Sequence, residues 1–439
     1  MERAGGVIDE LLNGTWADPS DGQRYGIPVE DIAIAPSLAG EEAALVRARH
    51  NGKRLTVVHD PFTRKALGSR VLDALKADGG SVEEFVWANP RCTTDGVHEL
   101  SEATAGAEAL VAVGSGTVSD SAKYATYLDG REYSVFATSP MNAYTTPTAS
   151  VSSGGMKTSI TCHSAKGVFF DLEVLGKCPQ RLVSAAFADV ICRTTAQCDW
   201  LLSHLLFETA YVDVPYKLMA VDEDRMIKCA AAIRAGDPQA LATLTRVSAL
   251  MGLSTSFTGT THVGSMAEHM ISHSIDMFAS DHDGAHPGTS HGEQVGVATL
   301  TMSRLQNTLL RQDTAPRVNP TDVPQPRLAE TYGAKMAQTM VDATAKKALN
   351  EEGAERLSAR LDETWDELRK ELLGVTRPAE EIEAAMEEAG CQRTGRDLGL
   401  SPAFYRQAVR DARFIRDRYS FLDLADDAGA LAPFVETQH

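Results

Sequence analysis

ALVAVGSGTVSDSAKYA, residues 109–125, is the stretch whose reading decides the fold. It opens on a run of Ala, Leu and Val, as expected of a strand buried on both faces of a parallel sheet. Gly114-Ser115-Gly116-Thr117 then turns the chain into a helix that contains Asp120 and Lys123, with Thr, Ser and Asp near its start to cap it. Glycines let a backbone approach a pyrophosphate, and the free N–H groups at a helix start favour anions. The turn is not GxGxxG, because Ser119 stands where the third glycine belongs, and it is not a P-loop, because G-K-[ST] is absent. An ordinary tight turn satisfies the same pattern, so the neighbouring sequence has to decide.

On either side, IAIAP (32–36), LTVVHD (55–60), EEFVWA (83–88), SVFATSP (134–140) and VFFDLEVL (168–175) read as further strands. Helical stretches such as TRKALGSRVLDALKADG (63–79) lie between them. Strands alternating with helices predict βαβ units and a Rossmann-like, doubly wound parallel sheet over residues 1–178. Asp60 closes the strand LTVVHD, where a carboxylate can take hydrogen bonds from cofactor ribose hydroxyls or cap the helix beginning at Pro61. A free carboxylate there favours NAD over NADP.

After Pro179 the strand signals stop, and long helical patterns predict an all-α domain over 179–439. Residues 353–374 are highly charged and read as a solvated helix face; residues 313–328, with four prolines, read as a surface excursion. A crevice between an α/β half and a helical half is the expected place for a small-molecule site.

A net charge of −18 argues against nucleic acid as the main partner. Seven cysteines without CxxC spacing suggest neither a disulfide framework nor a structural zinc site. The start MERAGGVIDELLNGTW does not read as a signal peptide, and no apolar stretch approaches the ~18 residues that span a bilayer. The expectation is a soluble, reduced, cytoplasmic protein without membrane insertion.

Six of the twelve histidines fall between His262 and His291, with His269, His273, His282 and His286 inside that window. His269 and His273, at i and i+4, share one helix face. Imidazole is the commonest protein ligand of transition metals, so a metal-centred site is predicted; His282 and His286, in DHDGAHPG, read instead as loop residues.

GSGTVSDSAKYA, FATSPMNAYTTPTASVSSGGMKTS, AAFADVICRTTAQCDW, AEHMISHSIDM and HGEQVGVATLTM together resemble the sn-glycerol-1-phosphate dehydrogenases, in their bacterial branch. That family lies within the superfamily of iron-containing alcohol dehydrogenases, glycerol dehydrogenases and dehydroquinate synthases. The likeness runs from the strand at 55 to the ending RDARFIRDRYSFLDLA. It implies a dehydroquinate synthase-like fold, NAD or NADP as cofactor, and one divalent metal held by Asp189, His269 and His291. Two nitrogens and a carboxylate suit zinc first, with iron, nickel or cobalt as alternatives. Asp189 has another reading, an ion pair with Arg193 one turn on. The resemblance gives His273 a substrate contact or a proton relay, against a plain core histidine.

Around the cofactor the expected residues are Asp60, Gly114, Ser115, Gly116, Thr117, Asp120, Lys123 and Thr138; around the substrate they are Asn142, Lys157 and Arg193. Lys157 also reads as a solvent-facing strand residue. Arg193 is placed there on its own chemistry, as a cation one turn beyond Asp189. Many relatives carry Asp-Gly where this chain has Asn142-Ala143, which removes a charge and puts alanine where glycine could take positive φ. The implied reaction is reversible reduction of dihydroxyacetone phosphate to sn-glycerol 1-phosphate, with the metal as Lewis acid and a homo-oligomer, a dimer or larger, as the assembly. The alternatives are the same chemistry on another phosphorylated, phosphonylated or neutral polyol ketone or aldehyde, a dehydroquinate synthase-like cyclase, and a catalytically silent metal- and nucleotide-binding homologue.

Overall fold

The computed structural model describes residues 4–154, 156–283 and 288–438, so His286 lies outside the described residues. Contacts divide the chain into two compact units: Met1–Ala186 with Asp213–Thr260, and Phe187–Val212 with Thr261–His439.

The first unit is built on a sheet. Its strands are β1 (Asp31–Ala35), β2 (Leu55–His59), β3 (Val82–Val86), β4 (Ala109–Gly114) and β5 (Glu132–Ala137). A hairpin follows, β6 (Thr148–Ser153) and β7 (Met156–Thr161), and then β8 (Gly167–Asp171). Six strands form one sheet in the order β1-β8-β5-β4-β2-β3, every pairing parallel. These are the six expected strands. β2, β4 and β8 are buried throughout, which is why they read as unbroken apolar runs. Leu55, Val57, Leu67, Val71, Leu75, Val111, Val113 and Phe136 are among the residues that form one core cluster here.

The chain leaves β2 for β3 on one side and returns to β4 on the other. The carboxyl ends of β2 and β4 therefore flank a topological switch point, the usual ligand crevice of an open α/β sheet. The hairpin β6–β7 was not expected. In β6 only Ala149 and Val151 alternate, as buried apolar residues between Thr148, Ser150 and Ser152, and β7 (MKTSIT) carries no such alternation, so the apolar signal is too short to mark a hairpin. The helix Pro238–Thr258 is mostly buried and packs on the 142–146 turn of this unit.

The second unit is helical. Its largest helices are Arg193–Phe207, Ala267–Asp283, His291–Leu310 and Glu351–Val375. The last is the charged segment. It buries Ala354, Leu357, Leu361, Trp365, Leu368 and Leu372 at three- and four-residue spacing and leaves its acidic and basic residues outward. The helical pattern PRLAETYGAKMAQTMVDATAKKAL (326–349) is two helices, broken at Gly333 with φ 84°. The proline-rich stretch has no regular structure up to Pro324, after which the helix Gln325–Tyr332 begins. All seven cysteines are free thiols. Among the described residues no helix is long and apolar enough to cross a membrane.

Candidate functional site

In the helical unit, Asp189 (helix Gln180–Val190), His269 (helix Ala267–Asp283) and His291 (first residue of helix His291–Leu310) converge. One ligating atom from each lies within 4.8 Å of the others. Asp189 Oδ1 is 3.8 Å from His269 Nε2 and 3.9 Å from His291 Nε2. These separations are too long for hydrogen bonds. Tetrahedral ligands with bonds of about 2.0–2.1 Å stand about 3.3 Å apart, so Asp189 Oδ1 needs to approach each imidazole by only roughly half an ångström to share one ion with it.

The outer contacts orient the rings for that task. Glu268 Oε1 lies 3.0 Å from His269 Nδ1 and also accepts from Met266 N. A carboxylate accepts, so Nδ1 carries the proton and Nε2 keeps its lone pair. Ser272 Oγ lies 3.1 Å from His291 Nδ1 and 3.0 Å from Gln294 Oε1. The amide oxygen can only accept, so the hydroxyl spends its proton there and accepts from His291. Gln294 Nε2 in turn donates to Asp276 and Thr289. Both imidazoles thus offer Nε2 toward the shared carboxylate, and the donor set fits a divalent ion.

Asp199 sits beneath this site. It accepts from the backbone N–H groups of Ala267 and Phe421 and from Gln306. Burial, reinforced by the charge of Glu268, raises its carboxyl to about 8.

His273, buried on the same face as His269, has its ring centre 6.0 Å from His269 and 5.8 Å from His291. Its Nδ1 lies 3.2 Å from Arg416 Nη2. Arg193, one turn beyond Asp189, donates to Gln197 Oε1. His282 lies on the last turn of the helix Ala267–Asp283 rather than in a loop.

In the sheet unit the glycine turn lies where expected. Gly114 ends β4, Ser115 is the N-cap of the helix Gly116–Asp129 and makes no side-chain cap bond. A Cβ on Gly114 would sit 2.7 Å from Val118 Cβ, so the third-glycine role of close strand–helix packing falls here on Gly114. At Gly116 a Cβ would meet only Ala143 Cβ at 3.4 Å, so the space above it stays open to a ligand. Thr138 N donates to Gly114 O, and so does the buried Tyr144 hydroxyl.

Asp60, at the end of β2, uses Oδ1 to cap Phe62 N and Thr63 N in a capping box. The capping alternative therefore holds for that oxygen; Oδ2 takes no part in it.

Asp120 and Lys123 have another job than the expected cofactor contact. The buried Lys123 ammonium donates to Asp120 Oδ1 (2.9 Å), Ala143 O (2.9 Å) and Thr148 O (2.7 Å), which uses its three hydrogens. Asp120 Oδ2 accepts from Ser150 N. The pair braces the loop and hairpin from below. The concern over Ala143 also falls away: Asn142–Tyr144 is a 3₁₀ turn, and Glu208 alone among the described non-glycine residues has positive φ. Lys157 is half-buried on β7, opposite Ser152.

Sequence reasoning missed Glu268, Ser272, Gln294, Arg416 and Gly252. Adjacent helix positions do not face each other, so Glu268 next to His269 carried no spacing signal. Gln294 lay in plain view in HGEQ, three residues from His291. A Cβ at Gly252 would overlap Asn142 O at 2.3 Å, so glycine there lets the helix reach the 142–146 turn.

Residues 33–179 match the iron-containing alcohol dehydrogenase family. The chain is 28% identical over 286 residues to the glycerol-1-phosphate dehydrogenase of Methanothermobacter thermautotrophicus, covering 65% of this chain and 80% of that one. It is 24% identical over 411 residues to the glycerol-1-phosphate dehydrogenase of Geobacillus thermodenitrificans, covering 91% and 93%. In fold it is similar to a probable glycerol dehydrogenase from Sinorhizobium meliloti 1021, with TM-score 0.62 at 16% identity over 93% of this chain and 98% of that one. The NADH-dependent butanol dehydrogenase A of Thermotoga maritima gives 0.58 at 16% identity, over 94% and 98%. With a parallel sheet that ends in a glycine turn and an Asp–His–His cluster on helices, the chain is an NAD(P)-dependent dehydrogenase similar to the iron-containing alcohol dehydrogenases.

Proposed function

We propose that the chain is a metal-dependent, NAD(P)-linked dehydrogenase that interconverts dihydroxyacetone phosphate and sn-glycerol 1-phosphate. The observation that carries this reading is the convergence of Asp189 Oδ1 with two Nε2 lone pairs, each imidazole locked by its own outer partner. The phosphorylated polyol is taken from relatives named glycerol-1-phosphate dehydrogenase. When bound, a divalent ion (zinc, iron, nickel or cobalt) supplies Lewis acidity toward a carbonyl oxygen, and NAD(P)H supplies the hydride.

The chain's own residues divide the remaining work. Asp189, His269 and His291 would hold the ion, and the burial of the first two keeps bulk water from that side. The N–H groups opened at Ser115, Gly116 and Thr117 would take the cofactor pyrophosphate, with Asp60 Oδ2 accepting from a ribose hydroxyl. Lys123 and Asp120 would keep Thr138 and Asn142 in place, and Arg193 or Lys157 would meet the anionic end of the substrate. The same reading makes the protein a cytoplasmic homo-oligomer. The uncharged Asn142, where the resemblance leads to an Asp, favours a second reading, in which the same chemistry acts on a different phosphorylated or phosphonylated ketone or aldehyde.

NADH oxidation with dihydroxyacetone phosphate, in metal-stripped protein and after reloading with Zn²⁺, Ni²⁺ or Fe²⁺, tests the proposal. Turnover that returns only with metal is the expected result. Silence with every ion, in folded protein shown to be loaded, overturns the substrate assignment.

A further inference from the structure

The segment Ala412–Arg418 brings a guanidinium to the histidine cluster from far along the chain. Its placement is firm at both ends. Buried Arg413 is held by Asp423 and Asp427, each at 3.1 Å. Arg418 donates to Ser265 O and to Thr261 Oγ1, the latter at 2.9 Å. Between these anchors, Arg416 Nη2 meets His273 Nδ1.

Arginine has donors and no acceptor, so in this contact Nδ1 must accept through its lone pair. A neutral imidazole whose Nδ1 accepts carries its proton on Nε2. His269 and His291 are the reverse: their Nδ1–H groups face Glu268 and Ser272, and their Nε2 atoms hold lone pairs. Three rings with centres no more than 6.0 Å apart are thus sorted into two tautomers by a carboxylate, a committed hydroxyl and a guanidinium.

We propose that Arg416 is a positioning residue that holds His273 as the Nε2–H tautomer. His273 is then a hydrogen-bond donor to an oxygen of the substrate. With a proton already on Nε2, that atom does not join the metal as a third imidazole ligand, and its role toward the substrate is that of a donor. The substrate contact rests on the proposed function; the tautomer does not.

The test is a long-range ¹H–¹⁵N spectrum of full-length protein with ¹⁵N-labelled histidine rings, loaded with diamagnetic Zn²⁺. The His273 signals are identified by their loss in His273→Gln. Wild type is expected to show a protonated Nε2 and a bare Nδ1, Arg416→Lys to keep that pattern, and Arg416→Met to lose it. A protonated Nδ1 in wild type overturns the proposal, as does an Arg416→Met spectrum identical to wild type. Should Arg416→Met not fold, as read from its melting curve, the wild-type and lysine spectra still decide. Where the protein turns over a ketone, Arg416→Met is expected to lower kcat about 10- to 100-fold at unchanged zinc content and cofactor KM, with partial rescue in Arg416→Lys. If no ketone is reduced, the function is lost and the spectra still judge the tautomer.

Discussion

In the sheet unit the residues that would meet a nucleotide lie within one strand–turn–helix, Gly114 to Thr117, with Asp60 at the end of the adjacent strand. In the helical unit the three ligating atoms come from positions 189, 269 and 291, on three helices. The first arrangement follows from backbone geometry: a glycine, a helix start and the end of a parallel strand. The second follows from side chains and depends on a further layer, Glu268, Ser272 and Gln294, to aim them. Local motifs therefore tolerate changes around them, while the assembled site should fail one partner at a time.

The largest effect that separates the two should come from Asp189→Asn or His269→Ala. Each is expected to abolish stoichiometric metal binding and to cut turnover by about 1,000-fold or more, roughly 4 kcal/mol of transition-state stabilisation. Full metal content in either variant, measured by elemental analysis, would remove the residue from the ligand set.

In the sheet unit, Lys123→Met should act on folding instead. It leaves Asp120 as a mostly buried carboxylate without its cation, at a cost of about 3–5 kcal/mol in denaturant unfolding. A loss below about 1 kcal/mol would mean that the brace is idle. Ser272→Ala should be milder, with metal affinity falling about 10- to 100-fold while the melting temperature stays near wild type, because only the aim of His291 is lost. Unchanged affinity would break the argument that the outer layer matters.

The smallest difference should appear as pH falls. Burial holds His50, in the sheet unit, neutral down to about 4, and His262, in the helical unit, down to about 3. In both cases the folded value lies below the ordinary 6.5, so the unfolded chain binds the proton first. The stabilisation is complete above pH 6.5 and is lost as pH drops from there toward 4 and 3, at roughly 1 kcal/mol per group per pH unit. His50→Gln and His262→Phe should each flatten that slope in melting curves between pH 7 and 5. A slope unchanged in either variant would mean that the ring titrates normally.

The six sheet strands and the glycine turn were legible in apolar runs and glycine pairs, and the Asp189–His269–His291 cluster was legible through the resemblance of its motifs. The β6–β7 hairpin was not, since its one alternating stretch, Ala149 and Val151 between Ser and Thr, holds only two apolar residues. Asp120 and Lys123 looked like cofactor residues because their position after a glycine turn says nothing about where the side chains go. Folding turned them inward to Ala143 O, Thr148 O and Ser150 N.

By itself, the sequence determined the element types and the parallel sheet, since periodicity is a local property, while the choice of Asp189, His269 and His291 as candidate ligands came from the resemblance of their motifs to a known family. Tertiary structure alone decided that residues 213–260 cluster with the sheet unit, that Gly252 admits a helix to the 142–146 turn, and that Arg416 reaches His273. It also decided which nitrogen of each histidine carries the proton. A ring's tautomer is set by the partner it meets in space, and those partners stand up to 143 positions away along the chain.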